Sequence, residues 1–184
     1  MLKPLSTFPI KIKTERLELR LLEPTRENAE KIFNIVEQNR EYLEAWQGHF
    51  GMLHSVDDVL KKLESRHTKT ADNTGVMFGI YKNNNLIGRI RFFNAHDTTC
   101  EIGYWLLQSE NGKGFMTEAI SALESKLFKF GFQKIVLEID AGNTKSEHVA
   151  QRNGYKLENR IPDDGYAKCI GKCDTLVYVK NRML

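Results

Sequence analysis

No stretch of this 184-residue chain approaches the ~20 consecutive apolar residues that a membrane-spanning helix requires. The first ten residues contain two prolines and no apolar run of signal-peptide length. Cysteine is scarce: Cys100, Cys169 and Cys173 are an odd number in a chain long enough to bury its own core, which argues against a disulfide framework. Cys169 and Cys173 lack a downstream His/Cys pair, and the five histidines show no ligand spacing, so no metal site is expected. Excess charge of one sign is missing too, with 27 basic against 24 acidic residues and a net charge of +3. Without a dense Lys/Arg block, direct binding to nucleic acid is not expected. Linkers, repeats and low-complexity tracts are also absent, and the 41% apolar and 28% charged composition is that of an ordinary globular protein. The expectation is one domain over residues 1–184, cytoplasmic and without a membrane association.

What is present is a change of period along the chain. Leu17, Leu19 and Leu21 alternate within Thr14–Leu21 and predict a first strand. Thr25 can cap a following helix that carries Ala29, Ile32, Phe33 and Val36 at helical spacing. A second helix holds Tyr42, Leu43 and Trp46, and a third begins at Ser55 with Leu60 and Leu63 toward the core. Val76–Tyr81 and Leu86–Phe93 are strand-like runs joined by three asparagines, a hairpin signal because asparagine tolerates positive φ. Cys100–Leu107 is another strand, Phe115–Phe130 a long helix ended by Gly131, and Lys134–Ile139 a strand. A short helix over Lys145–Asn153 and strands over Tyr155–Arg160 and Thr175–Lys180 complete the order. Antiparallel hairpins leading into one β-α-β crossover give an α/β (α+β) sandwich around a mixed sheet.

The segment with chemical content runs from strand through Gln108–Gly114 into the long helix. A helix N-terminus presents unpaired N–H groups and partial positive charge, which attract phosphate. Gly112 and Gly114 allow positive φ and close approach, and Lys113 adds a cation. The P-loop spacing is not met, and the dinucleotide fingerprint would need a glycine where Thr117 stands. Taken alone, the loop is open to two readings: an anion cradle or a tight structural turn.

Its surroundings carry more. Cys100-Glu-Ile-Gly-Tyr-Trp-Leu-Leu107 followed by Asn111-Gly-Lys-Gly-Phe-Met-Thr-Glu-Ala119 resembles the acetyl-CoA-binding core of the GNAT superfamily, and more closely its RimJ/RimL-type branch of ribosomal-protein N-terminal acetyltransferases. Thr14-Glu-Arg-Leu17 resembles the opening strand of that branch. Asn143-Thr-Lys-Ser146 with Val149-Ala-Gln-Arg-Asn-Gly-Tyr155 resembles its second cofactor segment. The likeness runs from about Thr14 to Tyr178. The sequence departs from the superfamily pattern in having Asn111 where a longer Gln or Arg is usual and Met116 where a small residue is usual.

The resemblance implies a GNAT-like, mostly antiparallel twisted sheet flanked by helices, with a splayed strand pair holding acetyl-CoA. It implies direct acetyl transfer to a primary amine. Backbone groups of Trp105, Leu106 and Leu107 would meet the pantetheine arm. Asn111, Gly112, Lys113, Gly114, Phe115, Met116 and Thr117 would hold the pyrophosphate, and Asn143 would bond the arm. Lys145 and Arg152 are open to two readings, contacts to the 3′-phosphate or solvated helix charges. The tyrosine acid common in the superfamily falls at Ala150, which leaves Ser146 to hydrogen-bond the departing sulfur. Glu101 is the expected base, with Asp164 or a water as alternatives, and Tyr42, Trp46 and Phe50 are candidates for the acceptor wall. The acceptor expected from the branch is a protein N-terminal α-amine. A small amine such as a polyamine or aminoglycoside is the second reading, and a non-catalytic CoA sensor the third. A homodimer is common in the branch, with Thr175–Lys180 as a strand that could pair across its interface.

Overall fold

Thr14 divides the opening leucine pattern. Its hydroxyl accepts from the Leu17 amide at 2.9 Å, and its own N–H donates to the Leu17 carbonyl at 2.9 Å. The chain therefore turns there, so the strand expected over Thr14–Leu21 shortens to β2 (Glu18–Leu21), and a further strand before the turn, β1 (Lys11–Lys13), pairs with it antiparallel. Leu17 and Leu19 are buried, whereas Leu21 is only partly so. The computed structural model describes residues 4–71 and 74–183, so the start of the N-terminal segment considered above lies outside the described residues.

Three helices follow: α1 (Arg26–Gln38), α2 (Arg40–Trp46) and α3 (Val56–Ala71). Thr25 caps α1 by accepting from the Asn28 amide at 3.2 Å, and Ser55 caps α3 by accepting from the Asp58 amide at 3.1 Å. In α3 the buried pair is Val59 and Leu63, with Leu60 rotated to the margin. Strands β3 (Val76–Lys82) and β4 (Asn85–His96) form the expected hairpin, with Asn83 and Asn84 at φ 48° and 64° in the left-handed region that such a turn needs. Next come β5 (Thr99–Leu106), α4 (Phe115–Phe130), β6 (Lys134–Asp140), α5 (Thr144–Arg152), β7 (Lys156–Ala167) and β8 (Gly171–Asn181).

The strands make one sheet in the order β1-β2-β3-β4-β5-β6-β8-β7, antiparallel except for β5 beside β6, which α4 connects. One face packs α4 through Ala119, Ile120, Leu123 and Leu127, all fully buried with the aromatic core of β3 and β4. The other face carries α1, α2 and α3 over Leu22, Met77 and Trp105.

The last hairpin departs from the sequence pattern in two ways. Pro162-Asp-Asp-Gly165 has the composition of a turn, yet it lies inside β7 as a bulge with Asp163 at φ 57°. The Asp174 carboxylate accepts from the Asp163 amide at 3.0 Å and holds the extra residues against β8, and the turn falls after Ala167 instead. Strand β8, which includes Thr175–Lys180, lies between β6 and β7 and so cannot pair across an interface; the free edge there belongs to β7.

Candidate functional site

Beyond Glu101 the sheet comes apart. β5 pairs with β6 only through Thr99, Cys100 and Glu101, opposite Lys134, Ile135 and Val136. β5 then continues along β4 as far as Leu106, while β6 continues along β8 as far as Asp140. A wedge opens between Ile102–Leu106 and Leu137–Asp140. Backbone groups of a strand alternate in direction. The Leu107 amide donates to the Ile87 carbonyl at 2.9 Å, so it belongs to the β4 side. The Tyr104 carbonyl points the other way and accepts from Gln47 Nε2 at 2.6 Å. By the same alternation Leu106 presents its backbone to the wedge and Trp105 to β4.

At the wide end of the wedge lies the N-terminus of α4. Gly114 is its N-cap at φ 78°, and no side chain caps it, unlike α1 and α5. The first amide committed within the helix is that of Glu118, which donates to Gly114 at 3.0 Å. The amides before it are therefore available to an anion. Gly112, at φ 75°, has no atom within 4 Å of where a Cβ would stand, so the surface above the loop is open. A cavity of ≈ 380 Å³ lies between this loop and α5, lined by Asn111, Gly112, Gly114, Phe115, Met116 and Thr117 on one side and Lys145, His148 and Arg152 on the other. Lys113 stands apart from that lining, its Nζ 3.0 Å from Glu110. Asn111 donates to the Tyr42 hydroxyl at 2.7 Å, which ties the cofactor-loop candidate to α2.

The loop is buttressed from behind. Arg16 donates to the Lys113 carbonyl at 3.0 Å, lies over the Phe115 ring at 4.7 Å and pairs with Glu118 at 2.6 Å. Burial raises the Glu118 carboxyl, but hydrogen bonds from Thr14 and from the Arg16 amide and guanidinium outweigh that and hold it below its ordinary 4.5. A lowered carboxyl stabilises the fold above its unfolded pKa, and that contribution is lost as pH falls through the folded value. Glu118→Gln is expected to cost about 1–2 kcal/mol near neutral pH. Urea melts should show the gap from wild type shrinking below pH 4.5. A constant gap across pH would remove the ionic explanation.

From the loop the cavity continues inward. It shares Leu106, Asn111, Met116, Lys145 and Val149 with a space of ≈ 100 Å³ that Tyr42, Trp46, Tyr104, Trp105, Asn143 and Ser146 also line. That space in turn shares Trp46, Gln47, Tyr104, Asn143 and Ser146 with a third, of ≈ 130 Å³, bounded by Gly103, Leu137, Glu138, Ile139 and Asp140. Together they form a channel through the sheet. Asn143 caps α5, accepting from the Ser146 amide at 3.3 Å, so both residues are fixed at the channel's waist. Ala150 is fully buried and brings no hydroxyl there.

Tyr104 does. Its hydroxyl lies 3.5 Å from the Ser146 carbonyl, and burial pushes it up to about 12, so it keeps its proton at neutral pH. Sequence reasoning passed over this residue, although a tyrosine in an otherwise apolar strand is a polar handle needing a partner. It also passed over Glu138 and Asp140. Glu101 accepts from Asn94 at 2.8 Å and is not among the residues lining the channel, whereas Glu138 is. Partial desolvation, then the charges of Glu101 and Asp164, raise the Glu138 carboxyl above its ordinary value. The tip of the β7–β8 hairpin docks on α2, with Cys169 donating to the Ala45 carbonyl at 3.2 Å and Lys168 pairing with Glu44 at 2.5 Å. That contact brings the hairpin and α2 together near this end of the channel, where Trp46 is part of the lining.

Residues 16–156 match the acetyltransferase (GNAT) domain family. A ribosomal-protein-serine acetyltransferase of Escherichia coli (strain K12) is 29% identical over 155 residues, covering 83% of this chain and 85% of the relative. The protein YdaF of Bacillus subtilis (strain 168) is 30% identical over 173 residues, covering 89% and 90%. Among solved structures, RimL, a ribosomal L7/L12 alpha-N-protein acetyltransferase in complex with coenzyme A, superposes with a TM-score of 0.86 at 22% identity over 95% of this chain and 97% of that one. The microcin C7 self-immunity acetyltransferase MccE, in complex with acetyl-CoA and AMP, gives 0.83 at 22% identity over 92% and 94%. At these identities the structural likeness concerns the fold.

Proposed function

The chain belongs to the GNAT acetyltransferase family and is an acetyl-CoA-dependent N-acetyltransferase, and from that premise we propose that it acetylates the N-terminal α-amine of a protein. The observation that carries the reading is the channel through the sheet, with an uncapped helix N-terminus at one end and carboxylates at the other. The names of the relatives point to the same acceptor class. The described chain is read as a single acetyltransferase domain, and β7, at one of the two edges of the sheet, is available to a second copy.

The residues suit acetyl-CoA. Uncommitted amides at the start of α4 and the glycines at positive φ accommodate a pyrophosphate, while Lys145 and Arg152 across the cavity suit a further phosphate. The backbone of Tyr104 and Leu106, unpaired by β6, suits an extended amide-bearing arm. Bound acetyl-CoA supplies an activated thioester carbonyl. The chain supplies the rest: Ser146 and Tyr104 bring hydroxyl donors to the waist, and Glu138, with Glu101 behind it, forms a carboxylate wall able to take the amine's proton.

A small polyamine is the second reading, favoured by Glu138 and Asp140 in the channel lining with Asp164 near enough to perturb Glu138. Free thiol release should be followed with acetyl-CoA and a panel of amines, including peptides starting in Ser, Ala or Met and spermidine. Peptides are expected to be the better acceptors. Spermidine outperforming every peptide would overturn the acceptor class. With a working acceptor, Ser146→Ala and Tyr104→Phe are each expected to lower kcat by about tenfold or more while leaving the acetyl-CoA KM within twofold. If either substitution leaves kcat near wild type, that residue is removed from the waist chemistry.

A further inference from the structure

Four cationic side chains and a partly buried histidine gather on the acceptor side of the sheet. No carboxylate is in ion-pair contact with them among the described residues, although the charge of Glu101 reaches Arg91. β4 and β5 pair so that Arg89 stands opposite Trp105 and Arg91 opposite Gly103, all on the face that carries α1, α2 and α3. Lys62 and Arg66, one turn apart on α3, and His49 after α2 approach the same place. Among the described residues, Lys62, Arg66, Arg89 and Arg91 form no ion pair. Arg89 Nε, Arg91 Nε and Nη1, His49 Nε2 and Trp105 Nε1 are buried with no hydrogen-bond partner. Trp105 is only 5% exposed. Arg91 does lie over the Phe93 ring, at 3.8 Å, but a ring face does not use its N–H groups.

Like charges gathered at the edge of a core are costly unless something offsets them. Here burial and mutual repulsion act together. Burial, then Arg89, lowers His49 to about 3, and burial, then Arg89, lowers Lys62 to about 8. A small, partly open space of ≈ 20 Å³ lies among His49, Lys62, Arg89 and Trp105, with apolar side chains making up the rest of its lining and room for about one water-sized group. The donors around it are the inventory that binds a carboxylate.

The position of this space gives it a role. Trp105 lines both it and the waist of the channel, so one indole separates the two. Across the sheet surface the opposite wall is acidic, with Glu101 on β5 and Glu138 and Asp140 on β6. The acceptor cleft is therefore polarised, with carboxylates where the amine reacts and cations one side chain away. A polyamine would bring positive charge against Lys62, Arg66, Arg89 and Arg91. An amine followed closely by an anionic group would match both walls.

We propose that Arg89, Lys62, Arg66, Arg91, His49 and Trp105 form a carboxylate subsite that selects acceptor peptides with an acidic residue close behind the reacting amine. Only the Trp105 indole lies between the cluster and the waist, so the second and third positions, about 3.3 Å apart along an extended peptide, are the ones to vary. The inference rests on the reading that the acceptor is a peptide N-terminus.

The test uses the full-length enzyme with peptides identical except at positions two and three, which carry Asp, Asn or Lys behind a common Ser or Ala. Acidic peptides are expected to exceed neutral ones about tenfold or more in kcat/KM, with lysine peptides poorest. Lys62→Gln with Arg66→Gln, on the partly exposed face of α3, should remove most of that preference by raising KM for acidic peptides alone. Neutral-peptide kinetics and the acetyl-CoA KM should stay within twofold. Equal kcat/KM for all three peptide classes would overturn the subsite and leave peptide acetylation standing. Turnover of small amines with no peptide acetylated would instead overturn the acceptor class beneath it. A double variant that loses acidic and neutral peptides equally would assign the cluster a structural role only, which also overturns the proposal.

Discussion

Gly88→Ala is expected to weaken acetyl-CoA binding about tenfold or more and to destabilise the fold by about 1–3 kcal/mol. Gly88 lies in β4 directly opposite Leu106 of β5. A Cβ there would stand 2.5 Å from the Trp105 carbonyl oxygen, 2.9 Å from Leu106 Cδ1 and 3.2 Å from Leu106 Cα. Two of those three atoms are backbone, so no side-chain rotation relieves the clash. The strand must move, and it is held on one side only: past Glu101 it has β4 but no β6 beside it. The displacement goes into the wedge, where the backbone of Tyr104 and Leu106 would face the pantetheine arm. Calorimetric titration with acetyl-CoA and a thermal melt measure the two effects. Gly48→Ala, with no atom within 4 Å of the new methyl, is the matched control and should be silent in both. A folded Gly88→Ala protein that binds acetyl-CoA as tightly as wild type would show that the cofactor does not depend on the position of β5.

The parts of the fold that sequence made legible are those decided locally. Helix α4 begins and ends where Gly114 and Gly131 permit, the Asn83–Asn84 turn follows from asparagine at positive φ, and Thr25, Ser55 and Asn143 each cap the helix they precede. What escaped depends on partners far along the chain. The bulge at Pro162–Gly165 is held by Asp174, and the place of β8 inside the sheet is set by β6 and β7 together. The same holds for the site. The glycine loop, Asn143 and Ser146 announce themselves by spacing. Arg89 and Arg91 are merely alternate residues of a strand until α3 lays Lys62 and Arg66 beside them. Glu138 was equally hidden, because β6 reads as a strand whether or not its neighbour has departed.

That departure also sets the expected pH behaviour of Glu138→Gln, which should lower kcat/KM by about a hundredfold or more. Glu138 lines the channel while Glu101 does not, and the raised Glu138 carboxyl is a better base for an amine at neutral pH than an ordinary carboxylate. A base acts when deprotonated, so kcat/KM should rise with pH through the Glu138 pKa, with a second rise as the acceptor α-amine itself loses its proton near about 8. Glu138→Gln should remove the first rise together with the rate. Glu101→Gln should behave differently. Its negative charge is one cause of the raised Glu138 carboxyl, so removing it lowers the Glu138 pKa and moves the acid limb to lower pH, with a loss of less than tenfold. The two profiles, measured with one peptide acceptor at saturating acetyl-CoA, discriminate between the carboxylates. A large loss in Glu101→Gln beside a small one in Glu138→Gln would return the proton to Glu101. Small losses in both would assign it to water, leaving the carboxylate wall an electrostatic role toward the incoming ammonium.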